Sequence, residues 1–416
     1  MKLLTLASAL ALFGSQAFAA TFTVHVAGSS AFRAATENAI VRALTTPTAA
    51  FLGSSLAGAS QATFQGGVGA DTFIVECAWT GSASGVQTVQ TGAQVSITFN
   101  GTAGDTTHVW ISAAGNTFAA ATVGASGPTG GQALTAATAA YDPAAAADWG
   151  MTDVFQATTP FKGTLVDTRV GVVPFKFCVN NGAPVSLANI TPQLAQALFS
   201  NQFGLPLALF TGLNADETKL VFPIGRDADS GTRLASMAES RVGTTNLLLQ
   251  QAPMNAAGQI IGLTYSGVVA AGPVASQDLF PAAVINGISY SAGDTGYASG
   301  GQLANALKAT GSLAAVGGYY LSYLGLNDAA SAITGGAHEL TYNGVAYSAA
   351  AVQEGQYTFW SYEHLIYKTS YTGTPKTFAD TVANNIITTD APISGLALSS
   401  MKVVRSNDGG LVTNNY

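Results

Sequence analysis

The chain has 416 residues, is 48% hydrophobic but only 9% charged, contains 47 glycines and carries a net charge of −7. Its apolar content and low charge exclude a chain kept disordered by charge. Its acidity argues against a nucleic-acid-binding surface, so any anion site must be local rather than the product of a broad basic field.

Met1-Lys2 is followed by an apolar run from Leu3 to Phe13 and then Ala17-Phe18-Ala19. One positive charge, a short apolar core and an A-x-A site predict a secretory signal peptide over 1–19. The run is too short to span a bilayer. No cysteine follows it to carry a lipid anchor, so a periplasmic or secreted protein without membrane insertion is expected. The remaining chain of about 400 residues suits two domains.

The period-two pattern predicts a strand over 21–27, followed by Gly28-Ser29-Ser30. Phe32, Ala35, Ala39, Ile40, Ala43 and Leu44 then recur at helix spacing, with Ser29 or Ser30 as N-cap. A second strand over 73–80 leads to Gly81-Ser82-Ala83-Ser84-Gly85. The stretches 95–101 and 108–112 read as two strands around a Gly/Asp turn. The Ala-, Gly- and Thr-rich stretch 124–147 reads as a mobile loop adding little to the core. Together they form an inserted β-hairpin and loop, about 87–148.

The apolar run 170–179 predicts a long strand crossing between lobes. Thr191-Pro192 opens a helix with a Thr N-cap and Pro at the first position. A strand over 220–225 leads through the turn 226–232 into a helix with the stripe Leu234, Met237, Ala238 and Val242. Further strands are expected over 317–323 and within 356–368, the latter returning the chain to the first lobe. Alternating strands and helices predict an α/β protein with mainly parallel sheets. Cys77 and Cys178 sit in apolar strand-like runs. They either pair, as an oxidising compartment allows, or remain two buried thiols.

Gly28-Ser29-Ser30, Gly81-Ser82 and Ser230-Gly231-Thr232 share one design: a strand, a Ser/Gly turn, and a helix start. Small residues let backbone N–H groups approach a ligand, and a helix N-terminus supplies unpaired donors and partial positive charge. Arg226 adds a planar fork for two anion oxygens. Singly, such turns mostly cap helices and reverse the chain. Their order, with Gly150-Met151-Thr152-Asp153 between the second and third, resembles the binding segments of the phosphate-binding protein of the Pst-type ABC transporter. The R-x-x-x-S-G-T spacing from Arg226 to Thr232 is the most specific feature. The stretch 170–180 resembles that family's hinge-crossing strand, and 191–203 the helix opening its second lobe.

The resemblance implies the two-lobed type II periplasmic binding protein fold: lobe one from 20–175 and 362–416, lobe two from 176–361. It implies a monomeric solute-binding protein without catalysis or cofactor, with an ABC transporter permease as partner. Carried over, Ser30 donates a hydroxyl, Ala31 its backbone N–H and Ser82 a hydroxyl. Asp153 accepts from a protonated phosphate oxygen, Arg226 pairs with the anion, and Ser230, Gly231 and Thr232 close the site. Where the family often carries an acid that orients the arginine, this chain has Ala228, flanked by Asp227 and Asp229. The span from Ser82 to Asp153 is also far longer than in the family.

Neither a nucleophile elbow, a zincin motif nor a P-loop is present, and the four histidines lack metal-ligand spacing. Asp227 to Gly231 only faintly matches a calcium loop, because its glycine falls one place early. Glu339, Glu354 and Glu363 read as surface or hinge residues. The competing readings are a binding protein for another tetrahedral oxyanion (sulfate, molybdate or tungstate), a secreted surface or adhesive protein retaining the scaffold, and a secreted phosphatase.

Overall fold

The computed structural model describes residues 19–99, 102–309 and 318–415. The expected signal peptide lies, except for Ala19, outside the described residues. Strand β1 (Thr21–Gly28) leads to helix α1 (Arg33–Ala43), then to β2 (Thr45–Leu52), β3 (Gln61–Val68), β4 (Asp71–Ala78) and α2 (Ser82–Thr91). The inserted region holds β5 (Ile97–Phe99), β6 (Thr102–Asp105), β7 (Ala119–Thr122), β8 (Thr129–Gly130) and β9 (Gln132–Leu134), and β10 (Trp149–Thr152) ends it. There follow β11 (Leu165–Val179), α3 (Pro192–Phe199), β12 (Leu220–Pro223), α4 (Gly231–Glu239), and the hairpin β13 (Ala283–Ile285) with β14 (Ile288–Tyr290). Last come α5 (Gly300–Leu307), β15 (Gly318–Gly325), α6 (Leu326–Thr334), β16 (Trp360–Lys368) and α7 (Gly373–Asn385).

This mixed α/β protein has a central sheet in the order β12-β15-β11-β16-β10-β1-β4-β3-β2-β7-β8. Strand β11 joins its two parts. Residues from Leu165 to Pro174 pair with β16, whereas Phe175 to Val179 pair with β15. The expectation of mainly parallel sheets fails: β1 is parallel to β4 and β10, and β12 to β15, but most other neighbours are antiparallel. The cause is local. Only two residues separate β3 from β4, and so short a link joins antiparallel strands alone.

The strand–turn–helix unit at the N-terminus forms as expected, with a different cap. Helix α1 starts at Arg33 with Phe32 as N-cap, and Ser29-Ser30 stay in the turn before it. That turn is pinned to β10 at Gly28, where φ is 134° and a Cβ would overlap the Met151 carbonyl; Ser29 donates its backbone N–H to the same carbonyl at 2.8 Å. Only glycine permits this approach. Helix α3 keeps its expected cap, with the Thr191 side chain accepting from the Leu194 N–H.

In the inserted region the hairpin is β5–β6 rather than 95–101 with 108–112. The run from Val109 to Ile111 is buried without a strand ladder, because side chains of β3 take its carbonyls: Thr63 donates to the Ile111 carbonyl at 2.6 Å. The stretch 124–147 is also tied down. Strand β9 pairs with β2, the Ala147 N–H donates to Thr88 Oγ1 at 2.9 Å, and Ala147 packs in a small core with Trp110 and Val95.

Cys77 and Cys178 are free and buried, so the proposed pairing does not form. Cys77 on β4 packs in the main core, Cys178 on β11 in a separate cluster under α5 and α6. Burial raises both thiols, Cys178 to about 12, which leaves them unreactive. Thiol titration should therefore find no reactive cysteine in the native protein and two in denaturant without reductant. Fewer than two in denaturant would contradict this packing.

Candidate functional site

A cavity of about 390 Å³ is lined by the turns that follow β1, β4, β10, β12 and β15. Five helices begin at its wall: α1 at Arg33, α2 at Ser82, α4 at Gly231, α5 at Gly300 and α6 beside Gly325. Ser230 caps α4, accepting from the Arg233 N–H, and Ser299 caps α5, accepting from the Gln302 N–H, each at 3.2 Å. Helix N-termini aimed at one volume concentrate donors and positive potential without a field of lysines.

All eight residues expected at the site line this cavity: Ser30, Ala31, Ser82, Asp153, Arg226, Ser230, Gly231 and Thr232. Their hydrogen bonds differ in detail from the carried-over roles. Ser30 is exposed at the cavity, and the Ala31 N–H donates to Ser29 Oγ at 3.1 Å. Ser82 is buried and gives its hydroxyl to Asp153 Oδ1, while Ser82 Oγ accepts the Asp153 N–H at 3.2 Å. Thr232 reaches Asp153 Oδ2 from the opposite half at 3.4 Å. Asp153 is thus a buried carboxyl gripped by both halves. Burial raises its pKa, against the opposing effects of Ser82, Arg226 and Thr232. A Cβ at Gly231 would overlap both Asp153 Oδ1 and Ser82 Oγ, so glycine alone allows this contact.

The pose of Arg226 is set by backbone rather than by a neighbouring acid. Its Nε donates to the Tyr297 carbonyl at 3.1 Å and its Nη2 to the Ala298 carbonyl at 2.9 Å. Asp229 turns elsewhere: it accepts from the Ser84 N–H at 2.6 Å and from Asn286 Nδ2 at 2.7 Å. The start of α2 is therefore capped by a carboxylate from the opposite half of the molecule.

Sequence reasoning missed four parts of the wall: Arg33, Trp79, the Ser299-Gly300-Gly301 turn and Asp328. Arg33 Nε is held by the Ala57 carbonyl at 3.2 Å. Burial raises the Asp328 pKa, opposed first by Arg226 and then by Arg33. Asp328 lies in the first turn of α6 on the same cavity wall as Arg226. Ser299 carried the same Ser/Gly-before-helix signal as the other turns, but fell outside the ordered motif. Asp328 had no local signal, since only the fold brings it near Arg226.

Glu363, expected at the surface or hinge, is fully buried on β16. Burial, and secondarily the nearby Asp153, push its pKa well up. Glu339 and Glu354 do lie at the surface, in ion pairs with Lys176 and Lys402. Among the described residues no group of three or more His, Cys, Asp or Glu is placed to hold a metal ion, and no helix is long and apolar enough to cross a membrane.

No family model matches the sequence, and no curated protein does. Solved structures similar to this chain include a candidate phosphate ABC transporter substrate-binding protein with bound phosphate from Clostridium perfringens. It is 11% identical, with 89% of this chain and 98% of that one covered and a TM-score of 0.44. A phosphate-binding protein from Stenotrophomonas maltophilia is 13% identical, over 89% and 84% of the chains, at a TM-score of 0.40. PstS from Borrelia burgdorferi is 10% identical, over 88% and 96%, at a TM-score of 0.36. At such values these similarities carry no functional weight, and the chemistry of the cavity has to.

Two arginines, Arg33 and Arg226, line the cavity, and Arg226 is the one expected to pair with an anion. Arg226→Ala should weaken anion binding by about 2–5 kcal/mol, as expected when one partner of a desolvated charge pair is truncated. Arg226→Lys should restore only part of it, because the planar fork is lost. Calorimetry on both variants checks this, and unchanged affinity in the alanine variant would make Arg226 structural.

Proposed function

We propose that this chain captures inorganic phosphate between two lobes, 20–175 with 362–416 and 176–361, outside the cytoplasm, and delivers it to an ABC transporter permease. It acts as a monomeric binding protein, with Ser30, Ala31, Ser82, Arg226, Ser230, Gly231 and Thr232 as the donor set. The observation that carries this reading is Asp153. Of the two carboxyls that line this cavity of helix N-termini, hydroxyls and arginine, Asp153 and Asp328, the first sits buried between Ser82 and Thr232.

A carboxylate facing an anion repels it unless a proton lies between them. Phosphate near neutral pH brings that proton. Sulfate brings none and must meet Asp153 as the neutral acid, which burial favours but rising pH opposes. Sites that require a ligand hydrogen bond reject analogues lacking it by up to about four orders of magnitude.

Wild-type protein should therefore prefer phosphate, with sulfate affinity falling as pH rises. Asp153→Asn keeps the shape, adds a donor and removes the charge. In that variant sulfate binding should strengthen and lose its pH dependence, and the ratio between the anions should narrow. Competition calorimetry at fixed ionic strength reads all three. Equal binding of sulfate and phosphate by the wild type, or an unchanged ratio in the variant, would overturn the phosphate assignment.

A further inference from the structure

The anion cavity opens into a second and larger one. A vestibule of about 1020 Å³ shares Ser60, Trp79, Thr80, Ala298 and Ser299 with the first cavity. Its walls are two hairpins, β5–β6 from the inserted region and β13–β14 from the opposite half. The second hairpin turns at Asn286-Gly287, with both residues at positive φ, as a tight two-residue turn requires. It is clasped from both sides: Gln87 donates to the Asn286 carbonyl at 3.0 Å, and Asn286 donates to Asp229. The inserted region thus completes a chamber beside the anion site.

An oxyanion of five heavy atoms needs at most about 150 Å³ if each takes the liquid volume of a water. The first cavity alone exceeds that, and the vestibule by itself has the size of pockets that enclose larger small molecules, up to about 1,000 Å³. The lining of the vestibule is selective. Gln94, Ser96, Thr98, Asn286 and Gln302 offer amides and hydroxyls, and Gln302 Oε1 is a buried acceptor with no partner among the described residues. No lysine or arginine lines it, whereas Asp227 and Asp229 do. Planar amides that both donate and accept suit hydroxyl groups. Two acids without a cation disfavour a second phosphate.

We propose that the combined cleft also takes a hydroxylated phosphomonoester, a sugar or polyol phosphate, with its phosphate in the Arg226–Ser230 cavity and its hydroxylated part between the hairpins β5–β6 and β13–β14. The inference rests on the phosphate reading of the first cavity. Arg226 and the start of α4 hold the phosphate, and its ester oxygen faces the neutral wall of Thr80, Ala298 and Ser299. The side chains of the vestibule then exchange hydrogen bonds with the hydroxyls.

Titration calorimetry of the wild-type chain with orthophosphate, glucose 6-phosphate and glucose tests this. At about pH 5.5, below the second pKa of about 6 of a phosphomonoester, the ester keeps the proton that Asp153 accepts. Orthophosphate and glucose 6-phosphate should therefore both bind and compete there, and glucose alone should not. Thr98→Trp, on an exposed position of β5, should narrow the vestibule and weaken glucose 6-phosphate about tenfold while sparing orthophosphate. Retained orthophosphate binding reports that this variant is folded. Orthophosphate binding without glucose 6-phosphate binding overturns the inference and leaves the phosphate reading standing. Equal loss of both ligands in Thr98→Trp overturns the separate vestibule, and failure of the wild type to bind either overturns both readings.

Discussion

The contact on which the site depends is the meeting of Gly231 with Asp153 and Ser82. These residues come from opposite halves of the molecule, and a single added methyl would force them apart. Only at this distance does Thr232 reach Asp153 and the start of α4 face the start of α2. Two further ties hold the same approach. Asp229 caps α2 from across the cleft, and Arg405 pairs with Glu239 at the end of α4 at 2.9 Å, both largely buried. A buried ion pair returns little net stability against its desolvation, so its best-attested use is to fix one arrangement. Strands β11 and β16 supply the continuous backbone about which the halves are set.

Electrostatics within this frame would reconcile an acidic chain with the proposed anion site. The net charge of −7 rules out long-range attraction by a basic field. Helix N-termini provide fixed partial charges close to the cavity, and Arg226 is pre-oriented by two carbonyls rather than neutralised by a carboxylate at hydrogen-bond distance. Burial opposes the ionisation of the nearby acids. Asp153, Asp328 and Glu363 all have raised pKa values, and Asp227 is pushed to about 7.

Much of this was legible in the sequence because the signals were local. A period-two run marked β1, strand-like apolar runs marked β4 and β11, and Thr191-Pro192 marked the start of α3. The ordered Ser/Gly turns named residues that the fold does gather around one cavity. The signals failed where tertiary contacts decide. Strands β2 and β3 were missed because 45–68 mixes Gly, Ser and Thr with few alternating apolar positions. The run from Val109 to Ile111 has strand composition, yet side chains from β3 take the place of a ladder. Asp328, over a hundred residues from Arg226 in sequence, could be placed only by the fold. The free cysteines teach the same lesson, since apolar strand contexts suit a buried thiol as well as half of a disulfide.

The most direct measurement is phosphorus-31 NMR of phosphate bound to the wild-type protein, followed through the pH range in which free phosphate titrates. If Asp153 holds one proton between itself and the ligand, the bound resonance stays in place while the free one moves. A bound resonance that titrates in step with free phosphate would contradict a buried acceptor at the heart of the site.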